Sequence, residues 1–539
     1  MFLLEKIIKP IKKNTFDILA WNIISLVIKF GRKKAERNFN IQTKNQSVLF
    51  NTQYHWYHSW VDYSMAAALK YRGFNVKMII CDGLPYCEQE TVSVKRPSCS
   101  SCYKGTKKKV DLFGLSSVKI SELITKEKII EIGELSKKNN IDNLKIYKKL
   151  KVNIGEMALR NLTHFYKGVV EIFGDREVVF RKCIESALII CEANNNLFKS
   201  NRFDKVIGPN GKFIQSGIAL ELSELYKIDY YTWDVFNQGG AIFSKNDIAH
   251  DQKIDSVWPS IKIDSINKLQ INKVNEFYGL QSKSLNTPFK YYDKNVVNDF
   301  SKISAELSLN KNSRLITLFT NVEWDSTAMG QNLAYFDMFD WVSSIIDFVI
   351  DKKNIDLIIR AHPGESKVPK HLKTNSKICD RILVKYENLP AHIKLIGPKS
   401  NLSSYALSKL SDIAMVYTST LGLEFALMGI KPWVAATPYY SGKGFTLDIK
   451  SHEHFKDLFL DSKLVNKVSK KELENARILA YAVRFRRVFN YPIFDHNGKF
   501  KLFDYQILLN SDADNTIQNI CDFIEDKRNY LDLGSNINS

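Results

Sequence analysis

The sequence predicts an α/β protein in which two Rossmann-like units face each other across a cleft, with an amphipathic helix at the amino terminus. Three observations carry that prediction. Short apolar runs of strand length alternate with helix-length stretches in two separate regions, the pattern of open parallel sheets. A polar, Lys/Asn/Ser-rich stretch at about 251–310 separates them. Polar residues also gather just past several strand-like runs, where such sheets bind ligands. At 539 residues the chain exceeds one ordinary core, so two units are expected on length alone.

The segment 1–45 is basic and amphipathic. From Phe16, the residues Leu19, Ala20, Ile23, Val27 and Phe30 recur at helical spacing, between lysines 6, 9, 12 and 13 and the cluster Lys29, Arg32, Lys33 and Lys34. The uncharged stretch between Asp17 and Lys29 falls short of the ~20 residues that span a bilayer. Such a helix suits either an anionic inner-membrane surface or the protein's own surface.

Region 46–250 reads as the first unit. "SVLFNT" (47–52) is a strand, "HSWVDYSMAAALKYRG" (58–73) a helix closed by Gly73, and "NVKMIICDG" (75–83) the next strand. Residues from about 120 to 200 have a helical pattern and form an insertion. "FDKVIGPNG" (203–211), "FIQSGIALELSELYK" and "IDYYTWD" (228–234) then give strand, helix and strand. The linker at 251–310 leads into a second unit at 311–510. There "SRLITLFTN" (313–321), "IDLIIRAH" (355–362), "IKLIGP" (393–398), "DIAMVYTST" (412–420) and "KPWVAATP" (431–438) are strands with helices between them. A carboxyl-terminal helix and tail fill 511–539.

Composition narrows the classes. A 45% hydrophobic and 25% charged chain is a folded globular protein. The net charge of +19 invites an anionic partner. The basic stretches "GRKKAER", "KGTKKK" and "KVSKKE" are dispersed, however, so no nucleic-acid partner is expected. Eight cysteines in so long a chain do not form a secreted disulfide framework, and no cleavable signal is evident. A reducing, cytoplasmic setting is expected, peripheral at the inner face of the cell membrane if the first helix binds lipid.

Three strand ends of the second unit carry polar groups: "TNVEWD" with Asn321 and Asp325, "RAHPGE" with Arg360 and His362, and "YTSTLGLE" with Ser419, Thr420, Gly422 and Glu424. Each suits an anionic nucleotide. Ser419 or Thr420 caps a helix whose N–H groups attract phosphate. Gly422 permits close approach, and Glu424 suits two ribose hydroxyls. Arg360 offers a planar fork for phosphate, and His362 a donor to the leaving group. No glycine-rich phosphate loop of either common type is present.

"LIIRAHPGE" followed by "SDIAMVYTSTLGLEFALMGIKPWV" resembles the bacterial capsule-polysaccharide-synthesis glycosyltransferases, GT-B enzymes that include Kdo transferases. The matching positions are Arg360, His362, Pro363, Ser419, Thr420, Gly422, Glu424 and Gly429, with Pro432 one residue later than the family spacing. The resemblance covers about 313–450. It implies a GT-B fold whose second unit binds a nucleotide sugar and whose first binds an acceptor, either lipid-linked or a growing capsule or lipopolysaccharide glycan.

Transfer of this kind needs no cofactor and no metal if cations and helix ends neutralise the leaving phosphate. A base for the acceptor hydroxyl is expected from the first unit: His55, His58, Asp62 or Asp234. Lys443, in "SGKG", is a further phosphate candidate. A sugar-nucleotide epimerase of the same fold is the enzymatic alternative, and a zinc-containing nucleic-acid-binding protein the alternative from another class. Cys81 and Cys87, followed by Cys99 and Cys102, have a spacing that suits a structural tetrathiolate zinc. Buried free thiols or a redox pair are the other readings.

Overall fold

The apolar runs form two separate sheets. The first collects β1 (Ser47–Phe50), β2 (Asn75–Ile80), β3 (Ser116–Lys119), β4 (Lys205–Pro209), β5 (Asp229–Phe236) and β6 (Gly240–Lys245). The second collects β7 (Arg314–Phe319), β8 (Ile355–Arg360), β9 (Ile393–Ile396), β10 (Ile413–Val416), β11 (Trp433–Val434) and β12 (Leu447–Asp448). A last strand, β13 (Phe489–Asn490), returns to the first sheet. The orders are β13-β6-β5-β4-β1-β2-β3 and β12-β11-β10-β7-β8-β9. This computed structural model describes residues 13–38, 43–52, 59–236, 240–282, 295–461, 466–494, 505–509 and 515–533.

The second sheet is parallel throughout, which explains its near-continuous apolar strands. Leu357, Ile358 and Ile359 are fully buried, each contributing about 1.5–3 kcal/mol relative to exposure. In the first sheet β1 to β5 are parallel. The β5–β6 hairpin and β13 add an antiparallel edge. The GT-B arrangement is therefore present: two Rossmann-like units, with the chain crossing back to the first.

Among the helices, α1 spans Lys13–Asn38, α2 Trp60–Tyr71 and α3 Cys99–Leu112. Further on lie α4 (Asp175–Ser200), α5 (Ile214–Leu225), α6 (Met338–Val349), α7 (Leu421–Leu427), α8 (Lys470–Tyr481) and α9 (Asn515–Ile524). Gly73, at φ +90°, ends α2 as expected and donates its N–H to Lys70 O at 3.0 Å.

The first helix packs on the protein. Ile28 and Ala35 are buried, and Arg32 donates to Asp111 O at 2.7 Å. Leu26 and Phe30 face outward. No helix among the described residues is long and apolar enough to cross a membrane.

The described residues of 487–494, 505–509 and 515–533 return to the first unit, although the sequence ranges put everything up to 510 in the second. Arg487 is fully buried and donates to Phe243 O at 3.3 Å and Lys253 O at 3.2 Å. Tyr491 Oη lies 2.8 Å from Ser64 Oγ. Asp526 takes Lys205 Nζ at 2.9 Å and Lys245 Nζ at 2.6 Å.

Candidate active site

Because β7 runs between β8 and β10, the three polar strand ends of the second unit are neighbours. Asn321 Oδ1 accepts the Thr418 N–H at 3.1 Å, and the His362 N–H donates to Thr320 Oγ1 at 3.2 Å. These bonds hold the three lips together.

His362 is set by its own turn. Its Nδ1 accepts the Gly364 N–H at 3.0 Å, so the ring proton resides on Nε2. Burial pushes its pKa down to about 4, so the ring is neutral at pH 7 and Nε2–H is a donor. Glu424, buried at the start of α7, takes the Tyr405 hydroxyl at 2.5 Å. It acts electrostatically on Tyr278, Tyr439 and Tyr440, which gives this carboxylate an aromatic setting.

Other expected site residues have structural partners. The Arg360 guanidinium is buried and donates to Gly397 O at 2.6 Å and Ser400 O at 3.2 Å. It ties β8 to the loop after β9 and is not posed for a phosphate. Lys443 is also buried, paired with Asp255 and donating to Ser441 O at 3.1 Å. At Gly422 a Cβ would come within 2.5 Å of Tyr440 Cζ, so the glycine makes room for that ring. Thr420 is exposed and makes no side-chain cap. Ser419 Oγ instead accepts the Leu421 N–H at 3.3 Å. With only seven residues, α7 has a weak dipole to offer.

The first unit brings the base candidates into different environments. His55 and His58 lie outside the described residues. Asp62, on α2, is buried and accepts Trp233 Nε1–H at 2.6 Å. Burial raises its pKa to about 7. Asp234, on β5, reaches the interface between the units. Its Oδ2 takes Asn210 Nδ2–H at 3.0 Å and His250 Nδ1–H at 2.6 Å.

His250 was missed by the sequence reading. It follows the β5–β6 hairpin in a 3₁₀ turn, and its side chain is 26% exposed. Its Nε2 lies 2.8 Å from Ser326 Oγ, on the loop after β7 of the opposite unit. With Nδ1 donating to Asp234, the neutral ring accepts at Nε2 from the serine hydroxyl. Burial is the largest single influence on the His250 pKa and lowers it, but the Asp234 carboxylate and its hydrogen bond, with Asp325 and Asp251, together raise it above the ordinary value.

More groups converge at this interface. Asp325 acts electrostatically on His164, Lys167, His250 and His362 together. Its own carboxylate accepts the Thr327 N–H at 2.9 Å and hydroxyl at 2.8 Å. Lys167 Nζ sits 4.1 Å from the centre of the Trp324 ring and 3.0 Å from His164 Nε2. Burial lowers its pKa to about 8. Lys212, also buried, pairs with Asp251 at 2.7 Å. With Arg360 and Lys443 otherwise bonded, Lys167 is the cation placed beside Asp325 and Trp324. None of His164, Lys167, His250 or Ser326 carries a sequence signal beyond its residue type.

Comparisons with known proteins add little to this geometry. No family model matches the chain, and no curated protein matches it. Among solved structures, the beta Kdo 2,7 transferase of Thermosulfurimonas dismutans KpsC is 14% identical with a TM-score of 0.29, over 59% of this chain and 85% of that one. The beta Kdo 2,4 transferase of the same KpsC is 14% identical with a TM-score of 0.34, over 57% and 88%. A UDP-N-acetylglucosamine 2-epimerase is 9% identical with a TM-score of 0.21, over 90% and 98%. Likenesses this low carry no argument, so the functional reading rests on the site.

Proposed function

We propose that the protein is a GT-B glycosyltransferase that moves a sugar from a nucleotide-sugar donor to a surface glycan, of capsule or lipopolysaccharide type, at the inner membrane face. The observation that carries the proposal is the Asp234–His250–Ser326 chain of hydrogen bonds, which crosses between the units where Asp325 acts on both His250 and His362.

In this reading Asp234 holds the His250 tautomer with Nε2 free of a proton. An acceptor hydroxyl that takes the place of Ser326 Oγ, or bonds through it, gives its proton to Nε2. The resulting imidazolium is stabilised by Asp234, the role a carboxylate serves behind a histidine base. On the donor side, His362 Nε2–H and Lys167 face the leaving phosphate, and Glu424 takes ribose hydroxyls. Asn321 and Asp325 shape the pocket floor and set the charge around the imidazoles. The proposal requires no metal, because cationic and N–H donors supply the charge stabilisation.

The decisive test has two arms. Thermal shift against CMP-, UDP-, GDP- and dTDP-sugars identifies the donor, since a ligand of the native state raises Tm. Product formation is then measured with and without an oligosaccharide acceptor. Transfer that depends on acceptor supports the proposal. An altered free sugar nucleotide made without acceptor identifies the epimerase alternative and overturns it. The nucleic-acid alternative finds no support in the dispersed basic residues, and a salt-dependent gel shift would reveal it.

A further inference from the structure

Outside the cleft, four thiols from two neighbouring stretches of sequence line one cavity. Cys81 follows β2, Cys87 lies six residues on, and Cys99 and Cys102 occupy the first turn of α3. None of the four is in a disulfide, all are partly exposed, and together they line a space of about 20 Å³ with Arg96, Pro97 and Gln215. That volume holds about one water-sized sphere. Cys183, Cys191 and Cys521, by contrast, are simply buried in apolar packing.

We propose that these four cysteines bind one structural zinc ion as a tetrathiolate. Burial raises the pKa of the Cys81 and Cys87 thiols above the ordinary value, and two geometric features work against it and would stabilise metal-bound thiolates. The Cys81 sulfur accepts the backbone N–H of Gly83, and the Cys87 sulfur that of Gln89. In both cases the donor is two residues downstream, so each loop already folds its amides around a sulfur. The second pair sits at the amino terminus of a 14-residue helix, whose Ser98 cap leaves the first turn facing the cavity. With Arg96 alongside, the helix end offsets the charge of a tetrathiolate.

As posed, no three His, Cys, Asp or Glu side chains among the described residues stand close enough to ligate an ion. The rearrangement required is a rotamer step, since moving between staggered χ1 wells displaces a sulfur by about 3 Å. Binding is redox-neutral. Zinc(II) forms four Zn–S bonds, and each protonated thiol releases its proton to solvent.

The ion would fasten the loop between β2 and α3. That loop carries Glu88, which accepts the Gln215 N–H at 3.0 Å at the start of α5. It also carries Ser93, whose hydroxyl reaches His371 O of the second unit at 3.4 Å. The inference stands independently of the glycosyl-transfer reading.

The test is metal analysis of the full-length protein purified under reducing conditions without chelator. One equivalent of zinc is expected, and its exchange for cobalt(II) should give the intense near-ultraviolet thiolate charge-transfer band together with the visible bands of a tetrahedral site. The Cys99→Ser/Cys102→Ser variant should lose the metal and melt at lower temperature. Because that variant can fail to fold, the cobalt spectrum of the unaltered protein is the primary readout. Protein without zinc and without a cobalt–thiolate band overturns the proposal. A disulfide within the set under reducing conditions, or full zinc retention in the double variant, does so equally.

Discussion

The Nε2 of His250 and the hydroxyl of Ser326 stand 2.8 Å apart across the interface between the two units. One partner follows a hairpin of the first sheet, and the other lies in the loop after the central strand of the second. The hydrogen-bonded chain from Asp234 is complete only when the units are together.

Replacing His250 with Asn should lower kcat on the order of 10²–10⁴-fold, the usual contribution of a positioned acid–base group. Donor KM should change little. Steady-state kinetics check this, and an H250N enzyme of normal kcat would remove His250 from the chemistry.

The pH profile should follow the same group. A base must be neutral to act, so the rate should rise with pH through a midpoint above the ordinary histidine value, because Asp234 raises the pKa. Asp325 and Asp251 also face the ring, with Lys212 paired to Asp251. In Asp234→Asn the midpoint should move to lower pH while the maximal rate falls. An unmoved midpoint would assign the titration elsewhere.

Arg360 and His362 should separate structure from chemistry. Arg360→Ala removes one charged donor from each of Gly397 O and Ser400 O, which keep the Ser400 N–H and Lys367 Nζ respectively, at about 1.5–3 kcal/mol for each charged hydrogen bond lost. Its Tm should drop sharply. His362→Ala should melt near the parent and lose transfer. If R360A instead melts normally and only raises donor KM, the guanidinium contacts phosphate after all.

Glu365 should make stability depend on pH. Burial, with some help from Glu323 and Asp380, raises its folded pKa from 4.5 to about 8. A raised folded pKa means the native state binds more protons between those values. The contribution is therefore fully present below about 4.5 and is lost as pH rises toward 8. Glu365→Gln, which cannot ionise, should raise Tm at pH 8 and have a smaller effect near pH 5. The gap should be a few kcal/mol at most, at about 1.4 kcal/mol per pKa unit. Parallel melting curves across that range would refute the assignment.

Much of the fold was legible because buried parallel strands write themselves as apolar runs. "LIIR" and "IAMV" need no partner information to be read. Of the strands that escaped, β3, β12 and β13 are polar, short or at sheet edges, where pairing outweighs composition, while β6 is buried and internal but offers only the brief apolar run Ala241–Phe243. The three strand-end clusters were legible as well, since position at a strand end is a local property. What each side chain bonds to is not local. Arg360 and Lys443 carry the charge a phosphate site needs, yet their partners, Gly397, Ser400 and Asp255, lie far along the chain. His250 and Ser326 are 76 residues apart, and nothing in either neighbourhood marks them as a pair.

The return of Phe489–Asn490 and α9 to the first sheet has a consequence for synthesis. The second unit is one uninterrupted piece of polypeptide, whereas the first is assembled from both sides of it. A ribosome that has just finished residue 250 has made a sheet still missing its β13 edge, the buried Arg487 and the Tyr491 contact to α2. The nascent first unit must therefore wait, partly open, while some 240 further residues emerge. An expression fragment ending before residue 487 would inherit the same exposed seam, so soluble pieces of this protein should be sought in the second unit.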